Sequence, residues 1–249
     1  MSDKKKFEIH KVKDKFGVVR REHATLFPLP FKLLICGKSM LSAKSSLIVN
    51  LLLKEEGYKN MFKGENIYII NPSSNIDSKF EMIKRNLEIP SYNIFTDYDE
   101  GVVTELYNDL EEQGLEELEE HNTIFPKLII MDDVAADNVY KSKQAGIMSK
   151  LMFNSRHFGC NLILTSQKYS TFSTAARENA TAIAVSSCSN KQLELIEQDN
   201  NIISKKQFNS IFRKATNEPF TWFFINYHSP AKDRFLDTNF NVIPIDLEN

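Results

Sequence analysis

FKLLICGKSMLSAKSSLIV, residues 31–49, decides the fold of this chain. The apolar run Phe31 to Cys36 reads as a buried strand, and a short loop of small polar residues follows it. Lys44-Ser45-Ser46 then opens an amphipathic run, Leu47, Ile48, Leu51 and Leu52, that reads as a helix. Strand, phosphate loop and helix make up the nucleotide-cradling unit of P-loop NTPases. In such a unit, loop and helix N–H groups meet phosphate oxygens, a Lys reaches the β- and γ-phosphates, and the next hydroxyl ligates Mg²⁺. Gly37, Ser42, Ala43, Lys44, Ser45 and Ser46 are therefore the candidate nucleotide contacts, with ATP and Mg²⁺ the expected cofactors. The spacing departs from G-x-x-x-x-G-K-[ST]: Gly37 lies one residue too far from Lys44, and Ala43 stands for the second Gly. A one-residue insertion, with Leu41 the extra residue, reconciles the two. Gly37-Lys38-Ser39 is a rival triplet, but it abuts the strand with no loop before it.

Working outward, the 249 residues suit one large α/β domain, residues 31–249, behind a basic segment, residues 1–30. That segment carries eight Lys/Arg against four Asp/Glu, and its alternation fits either an edge strand with a solvated Lys face or a DNA-contacting arm. The formal charge of −2 excludes a chain that is basic throughout. Cys36, Cys160 and Cys188 are far apart and form no zinc pattern, so they read as buried thiols of a reducing compartment. With no long apolar stretch and no signal peptide, a soluble intracellular protein without a membrane partner is expected.

Further strands are expected at residues 66–70, 93–95, 127–131, 161–165, 181–186, 221–227 and 240–245. Helices are expected at 79–87, 141–158, 191–198 and 205–214, and Gly57 is expected to stop the first helix. Between Asp97 and Glu120 lie eleven acidic residues and no Lys or Arg, which reads as an acidic helix with a solvated face, away from any DNA path. Short apolar runs interleaved with helices imply a largely parallel sheet buried on both faces.

Ligands of open α/β sheets bind at the carboxyl ends of the strands. Three polar groups stand at such ends: Lys44-Ser45, Asp132-Asp133 after KLIIM, and Gln167 after NLILT. Phosphoryl-transfer chemistry then assigns the roles. Asp132 holds Mg²⁺ together with Ser45, Asp133 positions and deprotonates the attacking water, and Gln167 hydrogen-bonds the γ-phosphate or that water.

The stretch from Lys150 to Glu197 carries Arg156-His157-Phe158, a strand ending in Gln167, Arg177-Glu178-Asn179, a second apolar strand and Ser189-Asn190-Lys191. In that order the segments resemble the FtsK/HerA superfamily, in particular the genome-packaging ATPases of nucleocytoplasmic large DNA viruses and virophages. The resemblance implies a RecA-like fold and a ring of identical subunits that moves double-stranded DNA into a preformed capsid. Viral capsid proteins would be its partners, and the host-cell cytoplasm or the virion its place. It also implies an arginine finger acting on a neighbour's nucleotide, either Arg156 or Arg177. Arg156 is expected at the sheet edge opposite the nucleotide, and Arg177 in a loop at the nucleotide edge. His157 reads as structural. Two other readings stand beside this one: a structural homologue in a ring or capsid vertex that no longer hydrolyses ATP, and a small-molecule kinase, for which no lid segment is visible.

Overall fold

A computed structural model describes residues 21–38, 42–72, 77–134 and 146–246. Eight strands form one sheet: β1 Lys32–Cys36, β2 Ile67–Ile70, β3 Ile94–Phe95, β4 Lys127–Met131, β5 Cys160–Ser166, β6 Ala182–Val185, β7 Phe223–Asn226 and β8 Phe235–Leu236. Their order across the sheet is β3-β2-β4-β5-β1-β6-β7-β8. Every pairing from β3 to β6 is parallel, and β7 and β8 are added antiparallel.

Strict alternation along the strands builds two cores. Leu34, Cys36, Ile129, Met131, Leu162, Leu164, Ile183 and Val185 face one side, and Leu33, Ile35, Leu128, Ile130, Ile163, Ala182 and Ala184 the other. The second face is covered by α1 Lys44–Leu53 and α2 Ser78–Asn86, and by residues 26–31, of which Leu26, Phe27, Leu29 and Phe31 are buried. The first face is covered by α3 Glu100–His121, α4 Ile147–Asn154, α5 Thr174–Asn179, α6 Asn190–Asp199 and α7 Lys205–Ala215. This is the layered arrangement of RecA-like P-loop domains. Residues 1–20, the greater part of the basic segment, lie outside the described residues.

The long acidic stretch is one helix, α3, started by the Asp99 carboxylate accepting from the Val102 N–H and ended at Asn122 in the left-handed region. Its face is not wholly solvated. Glu117 is buried and accepts from Lys127 Nζ at 2.7 Å and from the Phe125 N–H at 2.8 Å. Halfway along, Gly114 has no room for a side chain, because a Cβ there would sit 2.6 Å from that of Phe158.

Three expectations need correction. Residues 240–245 are not a strand: Phe240 is left-handed (φ 63), and only Val242 makes a bridge, to Leu236 of β8. The last strand falls instead on Phe235–Leu236. The first helix stops at Leu53, where Lys54 turns extended, and Gly57 lies in the following turn, where a Cβ would meet the Leu51 carbonyl oxygen at 2.3 Å. In the expected 141–158 helix, the described part is α4 followed by a tighter 3-10 turn, Ser155–Phe158.

Candidate active site

The phosphate loop leaves the carboxyl end of β1, in the middle of the sheet. From there the chain crosses to β2 on one side, while β5 connects past β1 to β6 on the other. A crevice outside the strand ends is expected at such a switch. Gly37 opens the loop, and its N–H donates to the Ser166 carbonyl at the end of β5. Glycine is required there because the loop folds back on it: a Cβ at Gly37 would lie 2.5 Å from the Ser42 Cβ. Ser42 closes the turn, its hydroxyl and its N–H both donating to the Lys38 carbonyl. Residues 39–41, including the inferred insertion Leu41, lie outside the described residues.

Ala43 caps α1 with φ 52 and ψ 49, so the place of the second motif glycine keeps its left-handed backbone while carrying a methyl group. An L-residue pays for that conformation. Ala43→Gly should therefore raise stability by about 0.5–1 kcal/mol, read as an upward shift in the midpoint of urea unfolding. A lowered midpoint would mean that the methyl group packs favourably. Helices α2, α3, α5 and α7 each have a side-chain cap at their start; α1, like α4 and α6, has neither a capping side chain nor an acidic residue in its first turn. Its first-turn N–H groups and positive dipole end are left for an anion. Ser45 and Ser46, both half-buried, are the second and third residues of that turn.

Lys44 is 8% exposed. Its Nζ lies 3.4 Å from the Gly37 carbonyl oxygen and 3.7 Å from Asp133 Oδ2. The rival Lys38 is exposed and is tied by its backbone N–H to Ser187. Gln167, at the end of β5, donates from Nε2 to the same Asp133 oxygen at 3.3 Å. Three segments singled out by sequence position thus meet at one carboxylate. Asp133 itself is left-handed (φ 53), a conformation Asp tolerates, and its N–H donates to Thr165 Oγ1.

Asp132 points into a more closed space, 6% exposed. Its Oδ1 accepts from Thr165 Oγ1 at 2.7 Å, and its Oδ2 faces Asn71 Nδ2 at 3.4 Å. Burial pushes its pKa up to about 6, and Asp133 adds to this against the opposing Thr165 hydroxyl and Lys44 ammonium. A buried carboxylate that resists ionisation in this way suits a cation. One carboxylate with a nearby hydroxyl is a hard oxygen set of the kind Mg²⁺ takes beside phosphate and water. The chemistry of the Asp132 oxygens fits Mg²⁺, and Asp132, with the Ser45 hydroxyl of the loop, is the residue that would hold it.

The same shift has a consequence for stability. The folded pKa lies above the ordinary aspartate value of 3.8, so the nucleotide-free protein binds more protons folded than unfolded from about pH 4 to about pH 6. Its stability therefore falls as pH rises through that window. Asp132→Asn should stabilise the nucleotide-free protein near pH 7 by on the order of 2 kcal/mol and much less near pH 4.5, measured by urea unfolding. An equal difference at both pH values would overturn this account.

A family profile described as Poxvirus A32 protein matches residues 18–226. The chain belongs to the poxvirus A32 protein family. A comparison with the curated proteins finds no match. Among solved structures, the A32-family chain is similar to the genome packaging NTPase B204 from Sulfolobus turreted icosahedral virus 2 in complex with ATP-gammaS. That likeness has a TM-score of 0.51 at 15% identity over 80% of this chain and 92% of that one. B204 described as the DNA-packaging ATPase from Sulfolobus turreted icosahedral virus gives a TM-score of 0.54 at 14% identity, over 80% and 94% of the two chains. The pCW3 conjugation coupling protein TcpA, with ATPgS, gives 0.53 at 13% identity, over 79% of this chain and 57% of that one. At these identities the likeness is one of fold, and it agrees with the RecA-like reading.

The two arginines of the A32-family chain sit differently. Arg156 is exposed on the 3-10 turn before β5, at the amino edge of the sheet, as expected. There it helps burial to hold the Lys32 ammonium down at about 8. Arg177 is not in a loop at the nucleotide edge. It lies on α5, on the face opposite α1, where its guanidinium is 3.3 Å from Asp199 and stands over the Tyr169 ring. A six-residue helix is too short to show a period in sequence, and its one signal was the Ser173 cap. Two site residues escaped the sequence reading, Asn71 after β2 and Thr165 in β5. Both are polar groups near the carboxyl ends of strands, so the rule that found Asp132 and Gln167 covers them too.

Proposed function

We propose that this chain is an ATP-driven motor that moves double-stranded DNA into a preformed viral capsid, working as a ring of identical subunits. The observation that supports hydrolysis is the convergence of Lys44 and Gln167 on Asp133. In this reading Lys44 and the α1 N-terminus hold the triphosphate, and Asp133 accepts the proton of the attacking water. Gln167, uncharged and hydrogen-bonded to that carboxylate, signals loss of the γ-phosphate to β5. Mg²⁺, when bound, would neutralise charge on the phosphate oxygens. Family membership supports the viral setting, since the solved packaging NTPases share this fold. An intact Asp132, Asp133 and Gln167 weigh against a structural homologue that no longer hydrolyses ATP. Arg156 is proposed as the finger that reaches a neighbour's nucleotide, because it is exposed and lies far from its own; Arg177 is held by Asp199.

The test is ATP hydrolysis by the full-length protein with and without double-stranded DNA, over a range of salt. The motor reading expects stimulation by DNA of any sequence, falling steeply as salt rises. Turnover indifferent to DNA would sink the translocase and favour a kinase-like activity. No turnover at all would favour the structural homologue.

A further inference from the structure

A cavity of about 540 Å³ opens beside the phosphate loop, on the α1 face of the sheet. One wall is a stripe of α1 and its cap, Ala43, Ser46 and Asn50, whose spacing puts them on one side of the helix. The opposite wall is Phe220, Trp222 and Asn239. Register explains how these distant segments meet. Val185 of β6 pairs with Cys36 on one side and with Phe223 on the other, so the chain before β7 reaches the edge where the phosphate loop leaves β1. The cavity therefore begins at the first turn of α1 and runs away from Asp132 and Asp133, which lie across β5 on the other side.

Phe220 is unusual twice over. Its ring is 58% exposed, and its backbone is left-handed, with φ 64. Phe is rarely found in that conformation, and nothing in folding rewards an exposed ring. Phe240 is also left-handed, but its ring stacks on Phe224 with centroids 4.4 Å apart, so core packing accounts for it. No ring partner accompanies Phe220 among the described residues. Phe220 follows Pro219 in a tight turn, where the residue after the proline takes positive φ, and the turn holds the ring out beside the cavity.

We propose that this cavity holds the base and ribose of a purine nucleoside triphosphate, stacked on the Phe220 ring, with the exposed Asn239 amide at the base edge. An aromatic face accepts any base, and an Asn amide matches the paired donor and acceptor of adenine. The proposal rests on the reading of the Lys44 loop as the phosphate site. Ser46 lies where the phosphate site and the cavity join.

Trp222 is the only tryptophan in the chain, is 4% exposed and lines the cavity, so its emission reports on the base. The test titrates the full-length protein with ATP and, separately, with inorganic tripolyphosphate, both with Mg²⁺. ATP should change Trp222 emission saturably, while tripolyphosphate should displace ATP and leave emission near its starting value. Phe220→Ala should weaken ATP binding about tenfold, leave tripolyphosphate affinity unchanged and be rescued by Phe220→Tyr. Retained tripolyphosphate binding also certifies that the variant is folded. If Phe220→Ala binds ATP as tightly as the native chain, the base lies elsewhere and the phosphate reading stands. The same holds if ATP leaves Trp222 silent or if both ligands move its emission alike. A native protein that binds neither ligand overturns both readings.

Discussion

Asp133→Asn should bind Mg²⁺-ATP about as tightly as the native protein and turn it over more slowly by a factor on the order of 10² or more. The amide keeps an oxygen for the Gln167 side chain, so the geometry of the site survives. What it loses is the basicity that takes the proton from water. It also loses the charge that draws Lys44 to 3.7 Å, which frees that ammonium for phosphate. Affinity should therefore hold or rise while the rate falls. Lys44→Ala is the contrasting variant: it removes the buried cation of the loop, and binding itself should fail. Steady-state hydrolysis beside a separate binding measurement distinguishes the two. Asp133→Asn working at the native rate would remove the base assignment.

Glu117→Ala should cost about 3–5 kcal/mol of folding stability, enough to lower the midpoint of thermal unfolding by about 10 °C. Lys127 is the first residue of β4 and is fully buried. Its ammonium is held by Glu117 at 2.7 Å, with the Phe125 and Phe158 carbonyl oxygens at 3.4 and 3.5 Å. Removing Glu117 leaves that charge in the core with only distant carbonyls. Replacing both residues with apolar ones of similar size, Glu117→Leu with Lys127→Met, should recover most of the loss, because the cost lies in the orphaned charge. A single variant that unfolds within about 1 kcal/mol of the native chain would show that water reaches Lys127.

These two residues also mark where sequence reading stopped. The sheet was legible because each buried strand is a short apolar run, and the site because polar residues directly after such runs stand at strand carboxyl ends. Asp132, Asp133 and Gln167 announce themselves this way, and Lys44 by the loop that Gly37 opens after β1. Glu117 does not: among eleven acidic residues on one stretch, nothing in the spacing tells which one meets a lysine at the start of a later strand. The missed terminal strand has a local cause. Residues 240–245 are rich in apolar residues as a strand is, but Phe240 is turned left-handed and its ring stacks on Phe224. The walls of the cavity beside α1 were illegible for a topological reason, since Ala43 and Phe220 come together only once β7 is laid antiparallel against β6.

The two ends of the sheet order carry a consequence for how copies of this chain can meet. β3 and β8 are each two residues long, and Val242 makes a further bridge to β8. An edge that short is a poor template on which another chain could continue the sheet. Neighbours in a ring would touch through side chains of helices and loops, with no backbone ladder shared between them. Contacts of that kind re-form after a small slide or tilt, whereas a shared ladder must break whole. In the ring proposed above, a subunit bounded in this way could change its angle to its neighbour at every nucleotide cycle without leaving the assembly.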